Sequence, residues 1–169
     1  MIKIKTYKTK QIKKKILLSI CELKNEQWKY SLKSQIKHFK KHLKPLDFHN
    51  LLYKKKRLIG YTAFRLRQYK SCNIFYNYLL LDSIIIRKKF RNKKNANYLM
   101  LFNNKFIRGK RLPSFLICTK KNSYFFKKYY WKILNKRDYK IMDHKKKSFF
   151  MYFNGKKNKL KKIQIFFNL

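Results

Sequence analysis

The stretch Tyr78–Met100, YLLLDSIIIRKKFRNKKNANYLM, decides the reading of this chain. Leu79–Leu81 and Ile84–Ile86 make an apolar run that is β-branched at its far end and too short to cross a bilayer. That composition predicts a strand buried on both faces. A basic segment follows, after which Ala96, Leu99, Met100 and Phe102 recur at helical spacing and predict a helix over Ala96–Ile107. The order is therefore strand, basic turn, helix. A helix N-terminus so placed offers free backbone N–H groups and the positive end of its dipole to an anion.

Working outward, Phe48–Tyr53 and Arg57–Arg67 read as strands joined by a lysine-rich turn, with Leu58, Gly60, Thr62, Phe64 and Leu66 on one face of the second. Before them, Met1–Thr9 alternates isoleucine and threonine with lysine, as an edge strand guarded by charge would. Ile12, Ile16, Ile20 and Leu23 step along an amphipathic helix; Leu32, Ile36, Phe39 and Leu43 mark a second, ended by Pro45. Beyond the central stretch, Leu112-Pro113 introduces a short strand at Ser114–Cys118. A helix near Ser123–Tyr130 and two strands, Trp131–Met142 and Phe149–Asn154, follow. No internal repeat or flexible linker separates these elements. The expectation is one domain over residues 1–154 and a basic tail, 155–169, that forms an added strand, a helix or a loose arm.

The run I-x-K-x-F-R-N-K-K-N-A-x-x-L-M resembles the acetyl-CoA pyrophosphate loop of the GNAT N-acetyltransferase superfamily. Arg91 and Ala96 fall on family positions, and Lys94 stands where the family has its first glycine. L-I-G-Y at Leu58–Tyr61 is similar to the strand before the central one, and Pro113–Trp131, PSFLICTKKNSYFFKKYYW, to the second cofactor strand and the helix after it. The order of elements over Met1–Asn154 is also the family's. The resemblance implies an α/β (α+β) fold with a mixed, mostly antiparallel central sheet flanked by about four helices. It implies acetyl-CoA as cofactor and acetyl transfer to an amine acceptor. Backbone groups of Asn92, Lys93, Lys94, Asn95, Ala96 and Asn97 would cradle the pyrophosphate with Arg91, Lys93 and Lys94 adding charge, and Ile84, Ile85 and Ile86 would pair with the pantetheine arm. The family's asparagine after the second cofactor strand falls near Thr119, or on Asn122 if the loop differs. The family's tyrosine falls on Phe126, which has no hydroxyl to protonate a thiolate. Tyr130, four residues on and expected on the same helix face, and Tyr124 are the substitutes, or water serves. Tyr130 itself occupies a family glycine position.

Asp82, set inside LLLDSIII, reads either as a general base or as a structural carboxylate; unpaired and buried, its pKa would rise above about 3.9. Lys94 carries a parallel tension, since a Cβ disfavours the positive φ that glycine permits.

The formal charge of +41, from 47 basic and 6 acidic residues, attracts polyanions. It reads as nucleic-acid or ribosome association, or as the coding bias of an AT-rich genome, because the lysines are spread along the whole chain. A basic RNA-binding protein, or a GNAT fold without activity, is therefore the competing function, and spermidine is expected to be a poor acceptor. At 45% hydrophobic and 18% aromatic residues the chain is expected to fold rather than remain disordered. Cys21, Cys72 and Cys118 have no metal-type spacing and fit a reducing cytoplasm. The apolar run Ile16–Cys21 after a basic start is too short for a signal peptide with no cleavage site behind it. His38 and His42 are spaced as zinc ligands can be, without a third ligand in reach, so no metal is expected. No G-x-S-x-G, G-x-x-x-x-G-K or dinucleotide fingerprint is present, which excludes support for serine hydrolases, P-loop enzymes and Rossmann oxidoreductases.

Overall fold

The computed structural model describes residues 2–143, 149–156 and 160–168. The chain divides into two compact units: Met1–Arg65 with Asp82–Asn103, and Leu66–Leu81 with Asn104–Leu169. Among the described residues there are four α-helices and a mostly antiparallel mixed sheet, the fold class expected from the sequence.

In the first unit, β1 (Ile2–Lys8) pairs antiparallel with β2 (Phe48–Lys54), and β2 with the first part of β3 (Arg57–Ser71). The second part of β4 (Ile74–Ile86) lies beside β3. Lys55 and Lys56 turn β2 into β3 with φ of 47° and 64°, the two left-handed residues that a tight hairpin needs to match strand twist. Between β1 and β2 run α1 (Lys14–Gln27) and α2 (Leu32–His42). Their apolar stripes bury Ile20, Leu23 and Phe39 against Leu51, Tyr61, Ala63 and Ile85 on one side of the sheet. On the other side, Leu99 of α3 (Lys93–Lys110) packs with Leu52, Ile59 and Ile86. A Cβ at Gly60 would stand 2.9 Å from Ile86 Cδ1 and 3.1 Å from Leu52 Cδ2, so a side chain there would displace Ile86 and Leu52 from this layer. A buried polar chain crosses the unit: Thr6 donates to Asn50, Asn50 to Asn103, and Asn103 to Thr62.

In the second unit β4 pairs parallel with β5 (Ser114–Cys118) at Leu79–Ser114 and Leu80–Phe115, β5 pairs antiparallel with β8 (Phe149–Phe153), and β8 with β6 (Lys132–Ile133). α4 (Lys120–Lys127) follows β5. Asn104 accepts the Trp131 indole N–H and donates to the Tyr129 carbonyl, fixing the buried Trp131. The tail is a strand: β9 (Ile163–Ile165) pairs antiparallel with β3 and parallel with β7 (Tyr139–Ile141), and its isoleucines are fully buried among Tyr78, Phe115 and Phe150. Asp143 holds that segment by accepting the N–H groups of Phe167 and Asn168.

Four expectations need correction in detail. The segment Trp131–Met142 is two short strands, β6 and β7, separated by a 3-10 turn at Lys136–Asp138. α3 begins at Lys93 rather than Ala96, and α4 spans Lys120–Lys127 rather than Ser123–Tyr130. β4 starts at Ile74, where its first residues are exposed and carry no burial pattern to read.

Candidate functional site

The β4–α3 junction lies wholly in the first unit and is built by side chains that cap backbone groups. β4 runs out at Ile86, and Arg87 N–H donates to the Ile59 carbonyl at 2.8 Å, holding the exit of the strand against β3. Lys88–Phe90 make one 3-10 turn. The Asn92 carboxamide then accepts the Asn95 N–H at 2.8 Å, an N-cap bond, and Ala96 N–H donates to the Asn92 carbonyl. Asn95 is 4% exposed and its side chain donates back to the Phe90 carbonyl, closing the loop on itself.

Of the cradle expected over Asn92–Asn97, the Asn95 and Ala96 N–H groups are thus already used within the loop. The N–H groups of Lys93 and Lys94, first and second in the helix, have no intrahelical acceptor. The first turn contains no acidic side chain to offset the dipole. Lys94 is not among the residues with positive φ, so the backbone tension expected of a lysine in a glycine position does not arise. Cations at a helix N-terminus are unfavourable until an anion is present, and this turn fits a phosphate better than it fits nothing.

Arg91 bonds backbone and side-chain groups around the loop. Its Nε donates to the Ile86 carbonyl at 3.0 Å and its Nη2 donates to Gln27 of α1. Arg87, one turn earlier, pairs with Glu26 of α1, which also accepts the Lys88 N–H at 3.4 Å. The last turn of α1 therefore holds the loop through two arginines. Ile84 is half-buried, while Ile85 and Ile86 are buried, and the Ile86 carbonyl expected to face the pantetheine is the one that Arg91 caps.

Asp82, read either as a general base or as a structural carboxylate, does not share the burial of the apolar run around it. It is exposed on β4, pairs with Arg65 of β3 at 3.6 Å, and accepts a 3.3 Å bond from the Ser83 hydroxyl. Alternation explains the difference: the neighbours Leu81 and Ser83 take the buried face and Asp82 the other. Lys24 of α1 lies in electrostatic reach of Asp82, and burial pushes its ammonium below the usual lysine range. The His38 and His42 rings are 4.5 Å apart, and no group of three metal-ligating side chains occurs among the described residues. Sequence reasoning missed Lys24, Glu26, Gln27, Arg65 and Arg87. One signal was available: in a chain with 6 acids, each acid is informative, and Glu26, Asp47, Asp82 and Asp143 all bind a specific partner.

The remaining predicted residues belong to the second unit. Thr119 caps α4 by accepting the Asn122 N–H at 3.3 Å, and it lines a cavity of about 470 Å³ with Ile133, Tyr139, Phe150 and the stems of Lys120 and Lys136. Phe126 is 6% exposed and packs edge-on against Phe125 and at a tilt against Trp131, so it is a core residue. Tyr124 stands out from α4 with Lys127 over its ring. Tyr130 does not share the Phe126 helix face. The helix has ended, and Tyr130 sits in the following turn at φ 66°, 74% exposed, beside a smaller cavity shared with Arg108, Lys132 and Tyr152. Phe64 and Tyr152 are both buried.

No family model matches the chain, and no curated protein matches it. Solved structures do. Escherichia coli ElaA is 13% identical, with a TM-score of 0.65, over 90% of this chain and 99% of its own. An acyl-CoA N-acyltransferase from Pseudomonas aeruginosa is 11% identical, with a TM-score of 0.68, over the same shares of 90% and 99%. The PaiA N-acetyltransferase of Thermoplasma acidophilum, in complex with coenzyme A, is 19% identical with a TM-score of 0.52 over 89% of this chain and 98% of that one. The chain has the fold of the GNAT acyl-CoA N-acyltransferases.

Proposed function

We propose that this protein is a divergent GNAT enzyme that moves an acetyl group from acetyl-CoA directly to the amine of an acceptor. The observation that carries the reading is the β4–α3 junction. A strand end, an Asn92-capped helix start with two unused N–H groups, and a first turn with Lys93, Lys94 and no acid meet there, in a fold shared with a protein solved in complex with coenzyme A. Acetyl-CoA supplies an activated acyl thioester. The chain's own part is to hold the pyrophosphate at Lys93 and Lys94, align the thioester along Ile84–Ile86, and move protons. Arg91 acts chiefly by fixing the Ile86 carbonyl and Gln27 so that the loop keeps its shape. Asp82 receives the proton of the attacking amine, and Arg65 holds that carboxylate in place. Tyr124, Tyr130 or water returns a proton to the departing thiolate; Thr119 and Asn122 lie at the start of the same helix as Tyr124. No helix among the described residues is long and apolar enough to cross a membrane. The cysteines are free, which suits a reducing compartment such as the cytoplasm.

The reading is tested by chromatographic detection of free coenzyme A after incubation with acetyl-CoA and a panel of amines. Amine-dependent release that falls about a hundredfold in Asp82→Asn, with fold intact, supports it. Release equal to that of acetyl-CoA alone for every amine removes the catalytic claim and leaves the fold.

One observation favours a second reading. In the second unit the β3–β4 turn exposes Ile74, Phe75 and Tyr76, with Lys70 over the Phe75 ring and Tyr69 stacked on Tyr76. Exposed rings among cations are what single-stranded RNA stacks on. RNA binding that survives moderate salt and drops in Phe75→Ala with Tyr76→Ala supports it; binding that depends on charge alone does not.

A further inference from the structure

In the second unit, β6 stays beside β8 for only two residues, Lys132 opposite Tyr152 and Ile133 opposite Met151. Leu134 N–H still donates to the Phe150 carbonyl at 3.0 Å, and the chain then leaves through Asn135 and the 3-10 turn Lys136–Asp138. On its other edge β8 keeps pairing with β5 to the end, Ile117 opposite Phe150 and Cys118 opposite Phe149. The early departure of β6 opens a space between the end of β5 and this loop, which is the cavity of about 470 Å³.

The floor of that cavity is hydrocarbon. Leu134 and Phe150 are 3% and 1% exposed, and the Tyr139 ring stacks on Phe150 with centroids 4.7 Å apart and planes 29° apart. The rim is polar and positive. Thr119, Lys120, Asn135 and Lys136 line it and are exposed, and no carboxylate occurs among the described lining residues. Asp138, in the same turn as Lys136, is not part of the lining. Protein interiors leave few voids larger than a water molecule, and small ligands bind in cavities of about 300–1,000 Å³ with an apolar lining and a few polar groups. Floor and rim ask for different things of one ligand. A flat apolar ring suits the first and a negative charge the second. A nucleobase fits less well, because its polar edge would be buried against Leu134 and Phe150 without partners.

We infer that this cavity binds a small aryl acid, with the ring against Leu134, Tyr139 and Phe150 and the carboxylate toward Lys120 and Lys136. Burial raises the Tyr139 phenol above its ordinary range, so its hydroxyl stays protonated as one more donor in the lining. The site is built from second-unit residues alone and does not depend on the acyltransferase reading.

The test is calorimetric titration of the full chain without acetyl-CoA, at about 0.5 M salt to screen diffuse attraction to surface lysines. The probes are 3-phenylpropionate, propionate, 3-phenylpropylamine and adenosine monophosphate. Saturable binding of 3-phenylpropionate, at least about tenfold tighter than that of each other probe, is expected. Ile133→Trp, at a β6 position that is 38% exposed, fills the cavity and weakens 3-phenylpropionate at least about tenfold. Lys136→Met narrows the preference for the acid over the amine, whereas Lys5→Met on the exposed edge strand leaves it. Should Ile133→Trp not fold, the comparison of the two lysine variants decides. No saturable binding of 3-phenylpropionate overturns the site. Propionate binding as tightly would leave charge alone, and the amine binding as tightly would leave the ring alone; either result overturns it. So does tighter binding of adenosine monophosphate, or an effect of Lys136→Met no greater than that of Lys5→Met.

Discussion

Tyr130 holds φ at 66°, a conformation that costs a residue with a Cβ about 1–2 kcal/mol and that glycine adopts freely. Tyr130→Gly is accordingly expected to raise unfolding stability by about 1 kcal/mol in denaturant, after allowing for glycine's greater freedom when unfolded. A loss of stability would mean the exposed ring makes contacts that outweigh the strain. Phe126 behaves in the opposite way. Restoring a tyrosine there puts a hydroxyl into the packing against Trp131, so Phe126→Tyr should destabilise by about 1–3 kcal/mol without raising turnover. His49 carries a third expectation. It is fully buried, with its ring nitrogens 2.8 Å from the Thr9 and Tyr61 hydroxyls, and burial pushes its pKa down to about 4. The unfolded imidazole binds its proton near pH 6.5, so the unfolded state holds more protons between about 6.5 and 4 and stability falls as pH falls through that window. The loss should reach about 3 kcal/mol, read as a shift of the urea midpoint that His49→Asn flattens. The residues whose behaviour was legible in the sequence were those fixed by local pattern, such as the apolar Ile84–Ile86. The Arg65–Asp82 pair was not legible, because it joins two strands and no single-chain periodicity marks it.

At the scale of elements, strands and helices followed from short-range signals where those were strong. Ser114–Cys118 was found to the residue because Pro113 fixes its start and its side chains are buried on both faces. α3 starts three residues before its first apolar repeat, because Asn92 caps it ahead of two lysines that carry no hydrophobic signal. The break between β6 and β7 carries no glycine or proline, and the strand pairing of β9 depends on partners distant in the chain. The start of α3 gives the sharpest prediction of this kind. Lys94→Glu places an acid in a first turn that has none, which should stabilise the free helix by about 0.3–1 kcal/mol. The same change sets a carboxylate against the pyrophosphate. Melting temperature and cofactor affinity should therefore move in opposite directions, a pattern that mere damage to the loop cannot produce.

For the molecule as a whole, the strongest influence is a net charge of +41 on 169 residues. Self-repulsion in the compact state weakens with screening, so the melting temperature should rise with added sodium chloride up to about 0.5 M, where the Debye length falls to a few ångströms. A flat response would mean that the charge is already neutralised locally. The same charge blurs any binding measurement with an anionic ligand, and the decisive measurement must separate a site from a field. Acetyl-CoA binding by calorimetry at about 0.1 M and about 0.5 M salt, for the native chain and Lys94→Glu, does so. Binding that persists at the higher salt and weakens at least about tenfold in Lys94→Glu, while that variant melts no lower than the native chain, is the expected result. Binding that disappears with salt, or that is the same in both proteins, would contradict a cofactor site at the β4–α3 junction.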